Sequence, residues 1–123
     1  MRMWSNSVRF VSEPEIRNKY TYISDIDMMI MMKDFYNYHI GIMAEYGTIY
    51  SNWKRDNDPK AITGLHFVKT DKWYPIILDD LKTNILDEHL LMNITKKKTE
   101  INERIPRRPA CGLHFSHGQN LKV

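Results

Sequence analysis

The sequence predicts one α/β domain over residues 1–123, because segments with strand and helix patterns alternate along the chain. Two strong strand patterns, 20–24 and 62–68, are rich in β-branched and aromatic residues. One strong helix pattern, 84–95, has apolar residues at three- and four-residue spacing. A chain of 123 residues is long enough to bury one core. We therefore expect these elements to pack as a single unit.

The first half of the chain adds weaker signals around the first strand. The Ser-Glu-Pro-Glu run at 12–15 is typical of a helix start, so a short helix is expected over 15–19. The apolar run 28–32 is expected to continue the extended chain, and 48–50 is a short strand candidate. The mixed run 35–40 is compatible with either a helix or a loop.

The second half of the chain adds a loop and two helices. The polar run 51–60 is predicted to be a loop. A short helix is expected within 71–81, beginning near Pro75, and loop structure is expected after residue 98. His66 lies in the middle of the second strong strand pattern, and we interpret it as a hydrogen-bonded core histidine rather than a catalyst.

The basic residues are concentrated in the C-terminal quarter of the chain. The net charge of the whole chain is +3, but seven Lys or Arg stand against two Glu from Lys96 onward. This region could contact phosphates or an anionic membrane surface. A solvated basic tail is the alternative, and the sequence leaves both open.

Cysteine content and hydropathy limit the setting of the chain. Cys111 is the only cysteine, so an internal disulfide and a zinc site built on several thiolates are excluded. A reducing, cytoplasmic location is therefore expected. The longest apolar-rich run, 27–43, is interrupted by charged and polar residues and does not predict a bilayer span.

Two acidic residues follow the first predicted strand, in the triplet Asp25-Ile26-Asp27. Residues i and i+2 of an extended chain point to the same face, so the two carboxylates are expected to converge. Two anions held close together repel each other, and a divalent cation bound by oxygen ligands relieves that repulsion. The sequence therefore predicts a metal site at Asp25 and Asp27. The alternative is that one carboxylate caps a turn while the other is solvated.

The order of these features resembles that of the GT-A-type glycosyltransferases, which use nucleotide-sugar donors. An aromatic-rich strand, the Asp-x-Asp triplet and an apolar run come first, and three further motifs follow in the expected order. These motifs are Thr63–Phe67, the acidic pair Asp87-Glu88, and His114-x-x-His117-Gly118. The similarity covers roughly residues 20–118 and implies a partial GT-A fold, a mixed sheet flanked by helices.

The resemblance implies a role for each motif. Asp25, Asp27 and His117 would hold Mn²⁺ or Mg²⁺ against the donor diphosphate; His117 is preferred to His114 because Gly118 permits close backbone approach. Asp87 and Glu88 would orient or deprotonate the acceptor hydroxyl. For this acidic pair, simple stabilisation of a helix N-terminus is the alternative.

The arginines of the basic region are further candidates. Arg107 and Arg108, together with Arg104, carry guanidinium groups whose geometry suits phosphate. We predict that Arg107 and Arg108 bind the donor diphosphate or a lipid phosphate. A solvated basic loop is again the alternative.

The resemblance also implies partners and extent. The expected partners are a nucleotide-sugar donor and a glycan or lipid-linked acceptor. Peripheral association of the chain with a membrane is compatible with the resemblance, and nucleic acid is not an expected partner. Only 24 residues precede Asp25, whereas GT-A domains begin with a nucleotide-binding strand–helix–strand portion. Residues 1–123 would therefore be the C-terminal, metal- and acceptor-binding part of such a domain.

Two functions of other classes remain open from the sequence. In a metal-dependent phosphoesterase or nuclease, the same carboxylates and histidines would form a hydrolytic centre. In a non-enzymatic, truncated domain, the aromatic and basic surfaces would bind a partner.

Overall fold

A computed structural model describes the backbone of residues 5–24, 28–30, 33–77, 87–106 and 112–114, and the side chains of 8–24, 33–77 and 88–106. Four helices are present in this part of the chain: α1 (Ser5–Val11), α2 (Phe35–Tyr46), α3 (Thr70–Trp73) and α4 (Asp87–Lys98). The strands are β1 (Tyr20–Ile23), β2 (Met28–Ile30), β3 (Tyr50–Ser51), β4 (Lys54–Arg55), β5 (Asp58–Ile62), β6 (His66–Lys69) and β7 (Gly112–His114).

The strands form three small antiparallel sheets. The largest has the order β1-β6-β3, with Ile23 opposite His66 and Tyr50 opposite Val68. The second pairs β2 with β7, and the third is the β4–β5 hairpin. The predicted class is confirmed at the level of a mixed α/β architecture, with small antiparallel sheets and separate helices.

The core lies between the largest sheet, the hairpin and α4. Helix α4 packs against β5 and α1. Its contribution is the apolar stripe anticipated from the sequence, since Leu90, Leu91 and Ile94 are all buried. Trp73 is fully buried, and its indole Nε1–H donates to the carbonyl oxygen of Phe10 at 3.2 Å, which ties α1 to the end of α3.

The predicted helix over 15–19 is wrong. The helix of this region is α1, which ends at Val11, and residues 12–19 contain no helix. Pro14 lies just after the end of α1 and does not begin a helix. Proline is common at this position because it cannot continue a helix. Beyond it the chain turns into β1, and Arg17 forms an ion pair with Glu13 at 2.6 Å.

The predictions for the central region are correct in part. Strand β1 confirms the first strong pattern, and the ambiguous run 35–40 is helical and continues to Tyr46. The candidate 48–50 corresponds to β3, which begins only at Tyr50, because the Thr48 hydroxyl donates to the carbonyl oxygen of Tyr50 in a local turn.

Two expectations about strands need correction. The polar run 51–60 contains both β4 and the start of β5, so it is a hairpin rather than a loop. The pattern 62–68 is not one strand: β5 ends at Ile62 and β6 begins at His66. The physical reason is that the Asn52 side chain forms hydrogen bonds to Thr63, in the link between the two strands. It binds the Thr63 hydroxyl and also the Thr63 carbonyl, which is then not used for pairing with a neighbouring strand.

The helices of the second half are shifted relative to the prediction. Helix α3 ends at Trp73, before Pro75, whereas the predicted helix begins near that proline. Tyr74, the residue that precedes the proline, has an extended backbone, because a proline disfavours the helical conformation of the residue before it. Helix α4 is described over Asp87–Lys98, beyond the predicted end at residue 95, and positions 84–86 of the predicted helix lie outside the described residues. Residues 99–106 are irregular, as predicted, but β7 lies in a region where only loop was expected.

Replacing Gly47 by alanine is expected to lower the free energy of unfolding by about 1–2 kcal/mol. Gly47 ends α2 in the left-handed conformation, with φ of 62°, and its N–H donates to the carbonyl oxygen of Met43. Urea denaturation followed by circular dichroism measures the change. Gly41 is the matched control: it lies inside α2 with open space around it, so Gly41→Ala should raise stability. Equal effects at both positions would contradict this assignment.

Candidate functional site

Polar side chains gather at one end of the largest sheet. Strand β1 ends at Ile23 beside His66, the first residue of β6, and Asn52 follows the last residue of β3. In the antiparallel arrangement these three chain positions lie at the same end. The link from Thr63 to Leu65 enters the sheet there as well.

Asn52 is the centre of a buried hydrogen-bond network at this end. Its Oδ1 accepts from the hydroxyl of Thr63 at 2.6 Å and from the backbone N–H of Trp53 at 2.7 Å. Its Nδ2 donates to the carbonyl oxygen of Thr63 and to Nδ1 of His66, each at 2.9 Å. Because Oδ1 accepts two bonds, the orientation of the amide is fixed. We call these residues the Asn52 network.

The network determines the state of His66. Since Nδ1 accepts from Asn52, the ring proton of the neutral imidazole is on Nε2. Nε2 is buried and has no hydrogen-bond partner among the described residues. The ring stacks on Tyr50 at 5.8 Å and is tilted against Trp73 at 4.6 Å between centroids. Burial lowers the pKa of His66 to about 3, so the prediction of a hydrogen-bonded core histidine is confirmed.

A second cluster of polar residues surrounds Gly64. Both Arg55 nitrogens that face Glu88 donate to its carboxylate, Nε to Oε1 at 3.0 Å and Nη2 to Oε2 at 2.6 Å. A Cβ at Gly64 would lie 2.9 Å from Nη2 of Arg9 and 3.8 Å from Oε2 of Glu88. Two arginines and one carboxylate therefore meet where Gly64 leaves space. We call Arg9, Arg55, Gly64 and Glu88 the Gly64 cluster.

A histidine–carboxylate pair lies next to this cluster. His89 Nε2 and Asp58 Oδ2 are 2.5 Å apart, and both side chains are partly exposed. Asp58 also accepts from the backbone N–H of Lys60 at 3.0 Å. The hydrogen bond with His89, followed by that from Lys60, lowers the pKa of Asp58. The pair holds the β4–β5 hairpin against the first turn of α4.

A buried pair that sequence reasoning did not identify is His39 with Ser51. Nδ1 of His39 and the Ser51 hydroxyl are 2.7 Å apart, and both residues are buried. The imidazole stacks on Phe67, with 4.8 Å between centroids. Burial lowers the pKa of His39 to about 4. The spacing of twelve residues carries no motif, so no pattern in the sequence could have paired them.

Of the predicted site residues, only Glu88 has a described side chain. Glu88 lies in the Gly64 cluster, with its Oε2 3.8 Å from the position that a Cβ would take at Gly64, a residue of the Thr63–Phe67 motif. Asp87 is the first residue of α4, and its side chain is not among those described. The remaining predicted residues lie outside the described part of the chain: Asp25, Asp27, Arg107, Arg108 and His117.

The backbone that flanks the predicted metal ligands is described. Met28, which directly follows Asp27 in the sequence, pairs with His114 in the β2–β7 sheet. His117 follows His114 by three residues. The strand that follows the Asp-x-Asp triplet in the sequence therefore pairs with the strand that ends at His114.

No group of three or more His, Cys, Asp or Glu side chains suited to a metal ion is found among the described residues. None of the helices formed by these residues is long and apolar enough to cross a membrane.

Comparisons of the sequence and the structure with protein-family models, with curated proteins and with solved structures find no match for this chain.

Proposed function

We propose that this chain is the metal- and acceptor-binding part of a glycosyltransferase that uses a nucleotide-sugar donor. The observation that carries the proposal is the end of β1: Ile23 pairs with His66, which follows the link in which Gly64 leaves space beside Arg9 and Glu88. Asp25 follows Ile23 by two residues. This supports the proposal, because the predicted donor motif follows β1 in the sequence and the Thr63–Phe67 motif contains the start of β6.

The β2–β7 pairing supports the proposal independently. It places Met28 beside His114, and these residues are one and three positions from Asp27 and His117. A ligand set of two carboxylates and one imidazole fits Mn²⁺, or Mg²⁺ with water and phosphate completing its shell. A cation held there would neutralise charge on the departing nucleoside diphosphate.

We propose different roles for the two acidic residues of α4. Both carboxylate oxygens of Glu88 accept hydrogen bonds from Arg55, so we propose that Glu88 positions the arginine. Asp87 is then the proposed base that takes the proton of the acceptor hydroxyl. Arg107 and Arg108 remain proposed contacts to the phosphates of the donor or of a lipid-linked acceptor.

The mixed α/β architecture agrees with this proposal at the level of fold class, and a partial GT-A domain is the finer form proposed. The proposed acceptor is a glycan or a lipid-linked sugar, met in the cytoplasm at a membrane surface. Because function depends on the site and not on the fold, a binding experiment tests the proposal.

Asp27→Ala is expected to abolish cation-dependent binding of a nucleoside diphosphate. Isothermal titration of the full chain with uridine or guanosine diphosphate should show much tighter binding with Mn²⁺ or Mg²⁺ than with excess chelator, because the carboxylates bind phosphate only through the cation. Asp71→Ala is the matched control, since that carboxylate is highly exposed on α3. It should bind as the unmodified chain does.

Three results would count against the proposal. Equal binding with and without the cation would remove the metal-dependent donor site, and so would unchanged binding by Asp27→Ala. Cation-dependent hydrolysis of bis(4-nitrophenyl) phosphate would replace the transferase with a phosphoesterase.

A further inference from the structure

We propose that Arg9 and Arg55 form a binding site for a phosphate group, and that the Glu88 carboxylate occupies this site in the free protein. The proposal rests on the Gly64 cluster and does not depend on the metal site or on glycosyl transfer. The predicted phosphate ligands, Arg107 and Arg108, are in another part of the chain.

The geometry of Arg55 is that of an anion site. Its Nε and Nη2 donate in parallel to the two oxygens of one carboxylate, at 3.0 and 2.6 Å. The planar guanidinium offers the same two-donor edge to two oxygens of a phosphate. The contact with Glu88 therefore reproduces the bonds that a phosphate would accept.

Arg9 supplies a second guanidinium from a different element. Its Nη2 lies 2.9 Å from the position a Cβ would take at Gly64. The guanidinium carbon is 4.5 Å from the ring centroid of Phe10, which is fully buried and fixes this part of α1. Any side chain at position 64 would enter the space beside Arg9, so the glycine keeps that space open.

The site is accessible to an anion. The Arg55 and Glu88 side chains are 44% and 28% exposed, so a ligand reaches them from solvent. A phosphate monoester carries a charge of about −1.5 to −2 at pH 7, more than a carboxylate. A phosphate can therefore compete with Glu88 for the two arginines.

Because Glu88 occupies the proposed site, Glu88→Gln is expected to bind phosphate more tightly than the unmodified chain. Removing the internal carboxylate charge should raise affinity for pyrophosphate by about 10-fold or more, because an intramolecular competitor acts at an effective concentration in the millimolar range. A purely structural ion pair would give the opposite result, a loss of stability with no gain in binding. The measurement is isothermal titration of the full chain with pyrophosphate at low ionic strength, with excess chelator present.

Two further variants in the Glu88→Gln background test the arginines. Arg55→Gln should return pyrophosphate affinity to that of the unmodified chain or below it. Gly64→Ala should weaken binding while the chain stays folded, since its Cβ meets only the flexible end of Arg9 closely. Circular dichroism confirms folding of each variant before titration.

The matched control is the neighbouring ion pair of the same hairpin. Lys54 Nζ lies 2.7 Å from Oε1 of Glu103, so Glu103→Gln releases a single ammonium group instead of an arginine pair. It should leave pyrophosphate affinity unchanged. An equal gain from Glu103→Gln would show a general charge effect and overturn the site.

The proposal is overturned if Glu88→Gln binds pyrophosphate no more tightly than the unmodified chain, or if Arg55→Gln does not reverse the gain. Uridine diphosphate, titrated in the same way, separates the sources of the phosphate. Tighter binding of the nucleotide than of pyrophosphate assigns the site to a nucleotide, and equal binding assigns it to phosphate alone. Because no cation is present, failure of the proposed metal site leaves this result unaffected.

Discussion

Asn52→Ala is expected to lower the free energy of unfolding by about 3–5 kcal/mol, because it leaves several buried polar groups without partners. The Asn52 side chain is fully buried and takes part in four hydrogen bonds. Its loss removes the partner of Nδ1 of His66, of the Thr63 carbonyl and of the Trp53 N–H, and leaves the Thr63 hydroxyl with only its longer hydrogen bonds to the Leu65 backbone. These groups are enclosed by the core, so water cannot replace the amide without a local opening.

Chemical denaturation at neutral pH, followed by tryptophan fluorescence, measures this loss. The matched control is Asn18→Ala, because Asn18 is exposed and lies outside the helices and strands. That change is expected to stay within about 0.5 kcal/mol of the unmodified chain. A loss of less than about 1 kcal/mol for Asn52→Ala, below the cost of a single orphaned group, would show that the network is dispensable.

The second large effect is a steep loss of stability in weak acid. Burial lowers the pKa of His39 to about 4 and that of His66 to about 3, from an ordinary value of 6.5. Unfolding exposes both rings, so the unfolded chain binds more protons than the folded chain below pH 6.5. Stability from these residues is therefore complete above pH 6.5. It falls as the pH decreases toward 4 for His39 and toward 3 for His66.

The size of the effect follows from linkage. Each histidine contributes a slope of about 1.4 kcal/mol per pH unit within its interval, so each costs roughly 2–3 kcal/mol near pH 4.5. Their sum is comparable with the whole stability of a small domain, about 5 kcal/mol at the lower end. Asp58 and Glu103, whose pKa values are lowered by hydrogen bonds from His89 and Lys54, add their losses at still lower pH.

Urea denaturation at several pH values between 7 and 5 gives the slope directly. In His66→Asn the new Oδ1 can accept from Asn52 as Nδ1 did, and the slope should fall by about half because one titrating group is gone. Ile94→Val is the control: it removes a buried methyl group and lowers stability by about 1 kcal/mol, but should leave the slope unchanged. A flat profile in the unmodified chain would refute the assignment.

The sequence predicted an element correctly where its pattern was complete within one short segment. The β-branched and aromatic run of β1 and the apolar stripe of α4 predicted their elements, because strand and helix periods are visible within a few residues. The burial of His66 followed from its apolar neighbours. The helix expected after Ser12 failed because the same residues also suit the end of a helix, and only the packing of Phe10 and Trp73 shows which one forms.

The hairpin and the clusters could not be predicted in this way. The polar run 51–60 lacks an apolar alternation because its strands are short and partly exposed, and their pairing depends on contact with α4. Arg9, Arg55 and Glu88 are far apart in the sequence and belong to three elements. In the sequence, each of these residues is compatible with an ordinary surface charge, and only the fold brings the three together around Gly64.

The sequence by itself determined the mixed α/β class, the first strand, the last long helix and the order of the proposed glycosyltransferase motifs. Only the tertiary structure decided which polar groups meet: Asn52 with His66, His39 with Ser51, and Arg55 with Glu88. The physical reason is range. Periodicity and turn chemistry act over a few neighbouring residues, whereas a buried hydrogen bond or an arginine–carboxylate pair depends on how separate elements are packed.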